Sequence, residues 1–80
     1  YYGPSSGVGR AITALREYSA AVSTAPHDAA LHYGYGGTLL LMGRHAEALV
    51  QFEAAIAGAP EYALPYYNAA LAADRLGRGE

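Results

Sequence analysis

The chain has no cysteine, no tryptophan and no lysine. Without cysteine there are no disulfides and no thiolate metal sites. An absence of cysteine suits cytosol and periplasm alike, so compartment stays open, with cytoplasm favoured over periplasm. Charge is also sparse: 15% of the 80 residues are charged and the formal net charge is −2. That balance offers no electrostatic reason to bind nucleic acid or an anionic membrane. No apolar run is long enough to span a bilayer, so membrane insertion is not expected. The start, Tyr1-Tyr2-Gly3-Pro4, has neither an initiator Met nor a signal peptide. The expectation is therefore a processed or excised piece of something longer. All five cations are Arg. With the abundant Ala and Gly, that points to a GC-rich, bacterial genome.

What the chain does have is apolar content, at 52% hydrophobic residues, which is too much for a disordered segment. Much of it is Ala, which loses no side-chain entropy in a helix. Eighty residues make one domain at most, and cores of that size are marginal.

An internal repeat organises the sequence. Gly-Arg occurs at Gly9-Arg10, Gly43-Arg44 and Gly77-Arg78, at a constant spacing of 34. Ala-Pro occurs at Ala25-Pro26 and Ala59-Pro60, again 34 apart. Two independent dipeptides with one period are hard to obtain by chance. Aligning 9–26 with 43–60 also pairs Ala14 with Ala48, Leu15 with Leu49, Ala20 with Ala54 and Ala21 with Ala55. Tyr18/Phe52 and Val22/Ile56 are conservative pairs.

Local signals turn that period into helices. Asp28 is placed to cap a helix starting at Ala29, since its carboxylate can accept orphan backbone N–H groups. Gly43 suits the left-handed residue that ends that helix. A second helix, roughly 44–57, carries Ala48, Leu49, Phe52, Ala55 and Ile56 on one face. Pro60 removes a backbone donor and stops it. Flanking helices are expected at about 8–24 and 63–76. The inward face of the latter is expected to carry Tyr66, Ala69, Ala70, Ala73 and Leu76, with Pro65 tolerated in its first turn. The segment Gly3-Pro4-Ser5-Ser6-Gly7 is expected to be irregular.

A repeat of this period and pattern resembles the tetratricopeptide repeat (TPR). The residues behind the resemblance are Gly36, Gly43, Ala48, Phe52, Ala55 and Pro60. His32 falls where the family usually has Trp, Tyr35-Gly36 where it has Leu-Gly, and Leu39 where it has Tyr. The match is strong in the second half of the unit and looser in the first. One complete repeat would run over 29–62. A second helix of a partial repeat precedes it at 8–26, after an irregular segment at 1–7. A first helix of another partial repeat follows at 63–80. The resemblance implies an all-α fold: a short right-handed solenoid of antiparallel helix pairs, about four helices in all. The unpaired helix at each end would expose apolar surface, which favours self-association into a homo-oligomer.

The resemblance further implies a concave groove that receives a peptide or partner protein. Its positions fall on Ala30, Tyr33, Gly34, Gly37, Leu40 and Leu41, then on Leu64, Tyr67, Asn68, Leu71, Asp74 and Arg75. Tyr33, Gly37, Leu40, Leu64, Tyr67, Asn68, Leu71 and Arg75 are the candidate contacts. Tyr rings offer large rigid area, and an Asn amide can hold a peptide backbone through both donor and acceptor. Tyr33 and Tyr67, 34 apart, are expected to stack into one ladder. The competing reading of Tyr67 and Asn68 is ordinary solvated helix surface, and both stay open. No Asn ladder is present, since Gly34 holds the place of Asn68 in the preceding repeat. No cations flank Asn68 for an acidic C-terminal peptide, so an apolar or tyrosine-rich ligand fits better. Gly34 and Gly37 either notch the groove floor or are merely tolerated.

Nothing points to catalysis, a metal or a cofactor. His27, His32 and His45 form no HxxxH pair, and structural roles are expected of them. Ser5, Ser6, Thr13, Ser19, Ser23, Thr24 and Thr38 lack a recognisable base and orienter. Gly34-x-Gly36-Gly37 is no dinucleotide fingerprint, because it lies inside a helix with no preceding strand. Arg44/Glu47 and Asp74/Arg78 have helical spacing and read as solvated pairs. The expectation is thus a non-enzymatic binding scaffold. The alternatives are a TPR appendage of a larger bacterial enzyme and a self-association element.

Overall fold

In the computed structural model the described residues are 7–78. They form four α-helices: α1 (Gly7–Thr24), α2 (Ala29–Leu41), α3 (His45–Gly58) and α4 (Leu64–Arg78). The fold is all-α, and each helix packs on the next in sequence. The body measures 42 × 35 × 17 Å. Its thinnest dimension is less than two helix diameters of ~10 Å. The interior is correspondingly small.

The helix bounds follow the capping chemistry. Asp28 has extended backbone, and its side chain accepts the Leu31 N–H at 3.2 Å. Gly43 has φ +77°, the left-handed conformation expected of it. Around it Arg44 N–H donates to Leu39 O at 2.9 Å, and Gly43 N–H donates to Leu40 O at 3.0 Å. That pair of bonds satisfies the last carbonyls of α2 and turns the chain into α3. A Cβ at Gly43 would meet nothing within 4 Å, so only backbone strain opposes substitution. Gly43→Ala should cost about 1–2 kcal/mol, and a thermal melt should show a fall of several degrees. An unchanged midpoint would refute the left-handed requirement. At the start of α3, Arg44 grips Glu47 through two bonds of 2.7 and 3.0 Å. Both side chains are about half exposed, as solvated pairs are. The Arg44 pKa is raised by the hydrogen bond and the charge of Glu47, which only reinforces a guanidinium that is already charged. The Asp74/Arg78 pairing involves Arg78, whose side chain lies outside the described residues.

The period of the sequence reappears in the backbone bonds of the turns. Ala25 N–H donates to Ala21 O at 2.9 Å, and Ala59 N–H to Ala55 O at 3.0 Å. Asp28 N–H donates to Ala25 O at 3.2 Å, and Tyr62 N–H to Ala59 O at 2.9 Å. The α1–α2 and α3–α4 connections therefore share these bonds.

The core centres on the α2–α3 pair. Leu39, Ala48, Phe52 and Ala72 form one buried cluster, with Leu15, Tyr33, Tyr35, Leu40, Leu49 and Ala69 packed around it. Ala48 and Ala55 are fully buried and let the helices close, and Phe52 fills the space between. Gly36 is required there: a Cβ would lie 2.6 Å from Phe52 Cε1. Gly34 has an equally concrete reason. Its missing Cβ would fall on the ring of Tyr18, 2.6 Å from Cζ. Tyr18 thus covers Gly34, and a side chain there would have to displace the half-buried Tyr18 ring. Gly37 meets nothing within 4 Å and is the open one.

Two expectations need correction. α4 buries Pro65 and Ala72, with Ala69 half-buried, whereas Tyr66, Ala70, Ala73 and Leu76 are exposed. The helix turns its Pro65–Ala69–Ala72 edge to α3, because α3 is its main neighbour. Of the anticipated inward face only Ala69 packs against the core. At the other end Gly7, expected to be irregular, begins α1. The rest of that irregular segment, residues 1–6, lies outside the described residues.

Candidate binding surface

The eight candidate contacts all sit on α2 and α4, which touch one another directly. On α2, Tyr33, Gly37 and Leu40 are spaced i, i+4, i+7, along one helix face. On α4, Leu64, Tyr67, Asn68, Leu71 and Arg75 are spaced i, i+3, i+4, i+7, i+11.

Their environments differ. Tyr33 and Leu40 are half-buried and pack against the core. The Tyr33 ring lies 6.1 Å from that of Phe52 and 5.6 Å, edge-on, from that of Tyr62. The expected Tyr33–Tyr67 ladder is thus replaced by the series Phe52, Tyr33, Tyr62. Tyr62, on the α3–α4 connection, reaches the ring first. Sequence reasoning did not single it out, since an isolated loop aromatic carries no periodic signal. On α4, Tyr67 is 72% exposed and Leu64 55%. Arg75 is exposed, and Asn68 and Leu71 are half-buried. Leu41, at the end of α2, is 86% exposed. On α4, Leu64, Tyr67 and Asn68 stand at helical spacing and form an apolar and aromatic strip with one amide in it. It can bury side chains of an extended ligand, and Asn68 can bond the ligand's backbone.

The histidines have separate settings. His32 is buried: Nε2 lies 2.7 Å from Pro26 O, and Nδ1 lies 2.7 Å from Gln51 Oε1. A carbonyl only accepts, so Nε2 carries a proton. The Gln51 amide carries an acceptor and a donor, so by turning over it can meet Nδ1 in either role. The contact ties α2 to α3 and to the preceding turn. His45 is half-buried at the start of α3, and its Nε2 is enclosed without a hydrogen-bond partner among the described residues. Thr13, Ser23, Thr24 and Thr38 each donate to a carbonyl of their own helix. Among the described residues no three of His, Asp and Glu converge as a metal site would need, and no helix is long and apolar enough to cross a membrane.

A groove elsewhere, lined by none of the eight candidate contacts, escaped the sequence reading. Ala14, Glu17, Tyr18 and Ala21 of α1, with Leu31 of α2, line an open groove of about 380 Å³. Its signal was in the repeat, because Ala14, Tyr18 and Ala21 stand one period before Ala48, Phe52 and Ala55. A scan against protein-family models, a search of curated proteins and a search of solved structures each returned no match for this chain.

Proposed function

We propose that the chain is a tetratricopeptide-repeat segment of a bacterial protein. On this reading it recruits a peptide or partner protein through the face shared by α2 and α4, without catalysis. The observation that carries the reading is the exposed apolar surface of Leu64 and Tyr67 on α4 beside the half-buried Asn68. Large exposed aromatics beside an amide are what an extended apolar or tyrosine-rich peptide would bind. The regular recurrence of Gly-Arg and Ala-Pro, and of the turn hydrogen bonds, supports the repeat assignment.

The test is affinity capture from a bacterial lysate, comparing wild type with a Tyr67→Ala, Asn68→Ala double variant. Tyr67 is mostly exposed, so helicity by circular dichroism should be unchanged. A partner held by wild type should bind the variant at least tenfold more weakly, about 1.4 kcal/mol or more. Identical capture by both proteins would refute this face as the working surface.

A further inference from the structure

The α2–α3 interface recurs, half made, on the first and last of the four helices. Within the chain, α2 presents His32, Gly36 and Leu39, all buried, to the fully buried Ala48, Phe52 and Ala55 of α3. Moved back by one period, the α3 side reads Ala14, Tyr18 and Ala21 on α1. Those three residues line the open groove. Moved forward by one period, the α2 side reads Tyr66, Ala70 and Ala73 on α4. Those three are exposed.

The equivalence extends to individual bonds. His32 Nε2 donates to Pro26 O at 2.7 Å, and the Tyr66 hydroxyl donates to Pro60 O, also at 2.7 Å. Both donor and acceptor are shifted by one period, so α4 is anchored to its turn as α2 is. His32 reaches across to Gln51 of α3, and the equivalent of Gln51 one period earlier is Glu17, which lines the groove.

Tyr18 leaves the room such docking needs. Its ring stacks on Tyr35 at 6.3 Å and 13°, with its hydroxyl end over Gly34. It lies over the helix that follows its own, whereas Phe52 lies over Gly36 of the helix that precedes its own. A helix entering the α1 groove can therefore carry Ala at the place where α2 must carry Gly, and α4 carries Ala70 there. Socket and face cannot meet within one chain, for α1 and α4 make no contact among the described residues.

We infer that α4 of one copy docks into the α1–α2 groove of a second copy, so that chains associate head to tail. The interface pairs two different surfaces and is heterologous. Each added chain presents a fresh socket and a fresh face, so growth does not stop at a dimer. None of the residues invoked is Tyr67 or Asn68, so this inference and the peptide-binding reading stand or fall separately.

Analytical ultracentrifugation with three proteins tests it. Wild type should show a mass that climbs with concentration past the dimer. An Ala14→Arg, Ala21→Arg variant with a blocked socket should stay monomeric, as should an Ala70→Arg, Ala73→Arg variant with a blocked face. Mixed in equal amounts, the two variants retain one working socket and one working face, and should double in mass and go no further. A monomeric wild type at the highest soluble concentration overturns the inference and leaves the groove to a helix from another protein. Self-association of either variant alone, or a mixture that stays monomeric while both are helical, also overturns it. Because the chain has no cysteine, cross-linking gives a second readout that does not depend on the arginine variants folding. Glu17→Cys and Tyr66→Cys chains, mixed under oxidising conditions, should form a mixed disulfide dimer in large excess over either like pair. Equal yields of all three species would refute the polarity.

Discussion

Phe52→Ala should remove most of the fold's stability. Phe52 is fully buried and is the largest side chain so enclosed among the described residues. It touches the missing Cβ position of Gly36 and the ring of Tyr33, and it lies in one cluster with Leu39, Ala48 and Ala72. Truncation of a buried Phe costs about 3–5 kcal/mol. Domain stabilities run roughly 5–15 kcal/mol, and a chain of 80 residues belongs near the low end. The melting midpoint should therefore drop by about 12 °C or more, and the transition should broaden. The site cannot collapse to relieve the loss, because Ala48 and Ala55 beside it already bring the helices to close approach. Val50→Ala, on the exposed side of the same helix, is the control and should stay within about 0.5 kcal/mol. Thermal circular dichroism reads both. A Phe52→Ala midpoint barely below that of wild type would mean that the core does not centre on this ring.

How much of this was legible in the sequence depended on whether the signal was local. Asp28, Gly43 and Pro60 act through their own backbone neighbourhood, and each sits at the helix end it was expected to make. Ala48, Phe52 and Ala55 share one helix face, and a face that meets a neighbour in sequence is recovered from spacing alone. α4 was the failure. Spacing defines its faces but not which of them has a partner, and of the expected inward set of Tyr66, Ala69, Ala70, Ala73 and Leu76 only Ala69 packs against the core. The contacts of Tyr18 with Gly34 and Tyr35, and of His32 with Gln51, join different helices. No periodicity of one helix encodes them. For the candidate surface, spacing gave the helices and the positions along them. The diversion of Tyr33 towards Tyr62 followed from where a loop ring happened to lie.

The same distinction bears on the surfaces proposed to bind. Phe52 and Tyr18 occupy the same place in the repeat, yet only Phe52 is covered. Phe52 is enclosed and serves stability, whereas Tyr18 is half-buried beside an open groove. On the proposed association, equivalent residues would take structural or recognition roles according to whether a helix of the same chain covers them. The face on α2 and α4 proposed to bind a peptide lies on other residues, so on these proposals both surfaces can be occupied in one molecule.

Gly36→Ala and Gly37→Ala should move stability in opposite directions although the residues are adjacent. Both lie inside α2, where Gly costs about 1 kcal/mol relative to Ala. At Gly37 a Cβ meets nothing within 4 Å, so the helix gains the propensity difference without any clash. The variant should melt several degrees higher, for an expected gain of about 0.5–1 kcal/mol. At Gly36 the added carbon would stand 2.6 Å from Phe52 Cε1 and 2.8 Å from Cδ1. Two carbon atoms need ~3.5 Å or more, so either the ring turns or α2 shifts off α3. Phe52 has no free space to turn into, with Tyr33 beside it and Ala48 and Ala55 on its own helix. Overpacking of this kind costs about 1–3 kcal/mol and exceeds the propensity gain, so Gly36→Ala should melt lower than wild type. The double variant Gly36→Ala, Phe52→Leu separates the two effects. A smaller side chain opposite should make the added methyl less harmful than it is beside Phe52, giving a favourable coupling in a double-mutant cycle. Equal and positive shifts from both single glycine substitutions would instead mean that α2 and α3 stand further apart than the 2.6 Å approach implies.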